Sequence, residues 1–166
     1  MVSEAHDRNL GCTIPGRWLR SVDDARVACQ WRLRVRVVKG QWADPRDPNV
    51  DMRSGFLKVI DGLCGRASSV AVATHDLPLA REAIGRLREA GTPSELELLY
   101  GVPCRGAVRL GRDLEVPVRF YVPQGQPRLP YLVNHARRNP RVLGWLARDV
   151  VRGYIRKSGS YVQSSN

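Results

Sequence analysis

The chain has 166 residues, with 27 basic against 16 acidic side chains, a formal charge of +11 and 43% hydrophobic residues. That length suits one domain, and the apolar fraction is enough for a core, which excludes disorder for most of the chain. No apolar run approaches the roughly 20 residues of a membrane span, and the opening Met-Val-Ser-Glu-Ala-His-Asp-Arg has no apolar secretory core, so a cytoplasmic protein without a transmembrane segment is expected.

In chain order, a weak strand at 10–14 precedes a helical pattern near 22–30. A clear strand follows at 33–38, then a loop at 41–53 rich in Asp, Pro and Asn, and a helix near 53–64. The next strand, 70–73, leads into the best-marked helix, near 77–90. Asp76 is its natural N-cap, Pro78 sits in the first turn, Leu77, Ala80, Ile84 and Leu87 recur at helical spacing, and Gly91 stops it. A strand at 95–99, a helix near 104–112 and a strand at 116–122 complete the alternation. A long helix near 129–156 and a frayed tail at 158–166 close the chain. Strands separated by single helices predict βα units of a parallel sheet within one domain spanning 1–157.

The strand faces add a functional hint. In 33–38, Leu33, Val35 and Val37 oppose Arg34, Arg36 and Val38, and in the last strand Val116, Val118 and Phe120 oppose Pro117, Arg119 and Tyr121. Glu95 and Glu97 share a face opposite Leu96 and Leu98. Strands covered by helices on both faces should be nearly all apolar. One apolar and one charged face fits a barrel wall around something polar, or equally an open sheet with one wet face.

Cys12, Cys29, Cys64 and Cys104 stand far apart, with no C-x-x-C, so neither zinc nor a disulfide framework is expected. The basic surplus is nearly all arginine, scattered along the chain; Lys39, Lys58 and Lys157 are the lysines. No nucleic-acid motif accompanies it, so nucleic acid is not the expected partner. No G-x-G-x-x-G follows a strand, which argues against a dinucleotide fold.

Val38-Lys39-Gly40-Gln41-Trp42, Ala73-Thr74-His75-Asp76 and Leu98-Leu99-Tyr100-Gly101 lie at strand C-terminal ends, where (β/α) barrels gather their ligand-binding groups. With Arg119-Phe120-Tyr121-Val122-Pro123 and Tyr131-Leu132-Val133-Asn134-His135, their order is specific. It resembles the FAD-linked proline dehydrogenase family, which carries V-K-G-A-Y, A-T-H-N, Q-x-L-x-G, R-x-Y-x-P and Y-L-x-R-R in this order. The resemblance covers about residues 10–140 and the last five of the barrel's eight βα units. It implies a partial (β/α) TIM-type barrel with C-terminal helices. The family's first three units, which supply a lysine and an aspartate to the substrate side, have no counterpart in these residues. A homodimer or a partner chain carrying the missing half is therefore expected to cover the open edge.

The resemblance implies FAD as cofactor and proline or a related cyclic amino acid as substrate. Arg36 falls where the family places an arginine beside the flavin N5, able to stabilise negative charge on the reduced ring. Val38, Lys39 and Gly40 match the strand end beside the flavin edge. Trp42 replaces a tyrosine there, and Thr74 and His75 match the segment that touches the cofactor. Glu97 stands at the position of a glutamine, and Tyr121 matches a tyrosine bordering the substrate. Pro15 replaces a flavin-contacting glutamine. At the substrate carboxylate, Asn134 and His135 replace the arginine pair, and Arg137 and Arg138 lie about 300° further round the helix. Proline itself is thus expected to bind weakly. The resemblance leaves as alternatives an inactive barrel remnant acting in binding or assembly, or an anion or nucleic-acid binder using the arginine surplus.

Overall fold

The structure, a computed structural model, describes residues 10–122. The helix expected near 129–156, the tail at 158–166, and Asn134 and His135 lie outside these residues. Strands and helices alternate strictly: β1 Gly11–Pro15, α1 Ser21–Gln30, β2 Arg34–Val38, α2 Met52–Leu63, β3 Ser69–Ala73, α3 Leu77–Glu89, β4 Ser94–Leu99, α4 Arg105–Asp113 and β5 Val118–Tyr121. Each expected element between 10 and 122 is present. The last strand is shorter than the 116–122 read from its β-branched residues. Glu115 has a positive φ of 51° as the chain leaves α4, and Pro117 has no N–H to donate to a ladder.

The strands lie side by side in chain order, β1-β2-β3-β4-β5. The pairs β1–β2, β2–β3 and β3–β4 are parallel, with Ala71 opposite both Arg36 and Glu95. β5 joins through the Leu96 N–H, which donates to the Pro117 carbonyl at 2.9 Å. The order never reverses, unlike a doubly wound nucleotide-binding sheet with its central switch point. The helices follow the same succession, α1 against α2, α2 against α3 and α3 against α4.

Alternation along each strand then decides what the helices cover. Val35, Val37, Val70, Val72, Leu96 and Leu98 are fully buried, in one core with Phe56, Ile60, Leu63, Ile84 and Leu87 of the helices. Arg34, Arg36, Glu95 and Glu97 alternate with them and take the opposite face. The charged and apolar faces expected from the pattern are both present.

The helix ends hold this layering in place. Asp76 caps α3 by accepting from the Leu79 N–H at 3.1 Å, and Asp51 caps α2 by accepting from the Ser54 N–H at 2.7 Å. At the far end of α3, Gly91 takes φ 66°, and the Gly91 and Thr92 N–H groups donate to Arg88 and Leu87, the paired bonds of a Schellman stop. Gly16 and Gly55 let the turn after β1 lie directly on the α2 backbone, where a Cβ on either would collide with main chain. Among the described residues, 10–98 and 104–121 form one compact unit, from which 99–103 and Val122 are set apart. No helix among the described residues is long and apolar enough to cross a membrane.

Candidate functional site

The charged face owes its organisation to the small side chains of β3. Neighbouring strands are about 4.8 Å apart, so β2 and β4 are separated by roughly 10 Å across β3. Ser69, Ala71 and Ala73 line β3 on this face, and arginines from β2 reach over them to glutamates of β4. Arg36 donates through Nε to Glu97. Arg34 donates through Nη2 to Glu95 and, at 3.4 Å, to Glu97. From the other side, Arg119 Nε is shared between both Glu95 oxygens at 3.0 and 3.1 Å. The Arg36 guanidinium also lies over the Tyr121 ring, 4.9 Å from its centroid, within cation–π range.

This cluster is well shielded at its acidic members. The Glu97 side chain is 4% exposed and that of Glu95 11%, against 26% for Arg36. Burial pushes the Glu95 carboxyl up, but hydrogen bonds from Arg119 and Arg34, with their charges, outweigh it and hold it below the usual glutamate value. Among the described residues, three guanidinium groups face two carboxylates, a net positive balance. Arg36 spends only Nε on Glu97, and its terminal nitrogens have no acceptor among the described residues.

The ends of β2 and β3 hold the remaining predicted residues. Lys39 Nζ meets Asp76 Oδ2 at 2.7 Å. Burial raises the Asp76 carboxyl, and the Lys39 and Leu79 hydrogen bonds more than reverse that, leaving it low. Thr74 is buried, with Oγ1 accepting from the Asp76 N–H at 3.2 Å, and His75 is half-buried beside it. Asp76 is thus the helix cap expected from its place before Leu77 and Pro78. The Val38 carbonyl accepts from the Gly16 N–H at 2.7 Å, and Gly40 turns the chain with φ 91°.

Trp42 is 71% exposed, and its carbonyl accepts from the Trp18 indole at 3.1 Å. The buried Asp44 carboxylate accepts 2.8 Å bonds from the Arg46 and Leu19 N–H groups, which hold it low and tie the loop after β2 to the turn after β1.

Of the residues picked from sequence, Arg36, Glu97 and Tyr121 come together on the charged face. Val38, Lys39, Gly40, Thr74 and His75 gather at the ends of two neighbouring strands. The Trp42 ring stands out toward solvent. Arg34, Glu95, Arg119 and Asp44 were not singled out as site residues, although Arg34 and Arg36 on one strand and Glu95 and Glu97 on another carry the signal: opposite charges at matching alternate positions. Cys12, Cys29, Cys64 and Cys104 are free thiols of intermediate exposure, and no group of residues suited to a metal ion occurs among the described residues.

Arg36 has terminal donors without an acceptor among the described residues and lies over an aromatic ring, whereas the Lys39 ammonium meets Asp76. No protein-family model matches the chain, and no curated protein matches it.

Proposed function

We propose that the chain is a flavin-dependent oxidoreductase of proline dehydrogenase type, its sheet forming part of a (β/α) barrel wall with the charged face inward. The observation that carries this reading is the meeting of Arg36, Glu97 and Tyr121 on the sheet face opposite the apolar core. The Lys39–Gly40 and Thr74–His75 segments stand at the ends of adjoining strands. These are the segments on which the family resemblance rests.

FAD, if held beside Arg36 and Tyr121 and along Lys39, Gly40, Thr74 and His75, would supply the hydride-accepting ring for oxidation of the substrate C–N unit. The chain's own residues position and polarise. Arg36 sets a guanidinium where negative charge grows, and Glu97 fixes that guanidinium through Nε. Tyr121 supplies the aromatic wall beneath it, and Lys39, Gly40, Thr74 and His75 border the cofactor edge. No side chain acts as a strong nucleophile; orientation does the work. A second copy or a partner chain supplies the remaining wall.

By the family resemblance, Asn134 and His135, outside the described residues, stand where the family carries its substrate arginines, so neither position brings a guanidinium charge. Each missing charge-assisted hydrogen bond is worth on the order of 1.5–3 kcal/mol, so proline binding falls by roughly 10²–10⁴-fold. An inactive barrel remnant that serves in assembly is the second reading, favoured by Lys39 being engaged by Asp76 of the same chain.

Purification followed by FAD titration separates the two. The enzyme reading predicts a bound flavin spectrum, bleached anaerobically by a cyclic secondary amino acid at high concentration. A colourless protein that takes up no FAD would leave the remnant.

A further inference from the structure

We infer that Glu97 is a positioning residue that lowers the reduction potential of the site by offsetting the charge of Arg36. This rests on the flavin reading and goes beyond it by assigning a regulator of electron affinity. The Glu97 carboxylate is 4% exposed and holds two guanidinium groups, Arg36 through Nε and Arg34 at 3.4 Å. Shielded from water, it acts on Arg36 with little screening. Glutamine at this position would still offer an oxygen to Arg36 Nε, so the guanidinium could keep its place over Tyr121. What glutamine removes is one negative charge, leaving three guanidinium groups facing Glu95 alone. Reduction places negative charge on a flavin, and Glu97 opposes it through the same contact that orients Arg36.

Glu95 provides the internal comparison. It is held by Arg34 and Arg119 and makes no bond to Arg36. Removing its charge should disturb the potential less than removing that of Glu97.

The experiment measures the two-electron potential of FAD-loaded protein by equilibration with reference dyes, for wild type, Glu97→Gln, Glu97→Asp and Glu95→Gln. Glu97→Gln is expected to favour reduction by tenfold or more, which is about 30 mV for a two-electron couple. Glu97→Asp, which keeps the charge, should stay within threefold of wild type, and Glu95→Gln should shift less than Glu97→Gln. Glu97→Ser makes the same charge change with a smaller side chain and should move the potential in the same direction, which covers the case of a poorly folded glutamine variant. Equal potentials for wild type and the neutral variants, with flavin bound in all, would overturn the inference and leave the flavin reading standing. Wild type that binds no FAD would overturn both.

Discussion

The two faces of the sheet are built from alternate residues of the same strands, yet they follow different rules. On the covered face, Val35, Val37, Val70, Val72, Leu96 and Leu98 meet helices, and the stabilisation is removal of apolar surface from water. On the charged face, Arg34 and Arg36 reach over the small side chains of β3 to Glu95 and Glu97, and Arg119 of β5 holds Glu95 from the other side. The first arrangement tolerates exchange among residues of similar volume. The second depends on sign, reach and the absence of bulk at Ala71, so small chemical changes should alter the site before they alter the fold.

The largest effect should come from the covered face. Leu96→Ala opens a cavity at a fully buried position and should cost about 2–5 kcal/mol in urea unfolding. A loss below 1 kcal/mol would mean that the helices pack on this face less tightly than its full burial implies.

Ala71→Leu tests the charged face by bulk alone. Placing a large side chain where the arginines cross should cost about 1–3 kcal/mol. It should also abolish the Arg36 bond to Glu97, read as loss of FAD binding in excess of the stability change. Unchanged binding would show that Arg36 does not need its path over β3.

At the strand ends, Asp76→Ala removes both the cap of α3 and the partner of Lys39. The expected loss is about 0.5–2 kcal/mol, most of it from the cap. Lys39→Ala alone should cost much less, since part-exposed ion pairs contribute little. A lysine variant as damaging as the aspartate one would reverse that ranking.

The smallest effect concerns pH. Glu95 is held below its ordinary value near 4.5, so the unfolded chain binds the proton more readily. Its contribution is therefore complete above that value and fades as pH falls through the lower folded value. Glu95→Gln should flatten the acid limb of the stability–pH curve below about pH 4.5 and change little of its slope near neutrality. An unaltered acid limb would contradict the ion-pair assignment.

Much of the fold was readable because its signals are local. Asp76, Pro78 and Gly91 bound α3 within a few positions, and two-residue alternation marks Arg34–Val38 as a strand with one charged face. The site was less readable for a physical reason. Arg36 and Glu97 are 61 residues apart, and their meeting depends on strand order, register and the small residues of a strand between them. Asp44 was hidden in a loop marked by composition alone, where no periodicity distinguishes a carboxylate that binds two N–H groups from a solvated one.

The central proposal is that the charged face holds a flavin through Arg36, and its direct measure is FAD titration followed by flavin fluorescence. Wild type, Arg36→Ala and the helix-surface variant Lys58→Ala are compared in the same buffer. The account predicts saturable binding by wild type and by Lys58→Ala, and at least tenfold weaker binding by Arg36→Ala. Equal affinities for all three, or no binding by wild type, would contradict it.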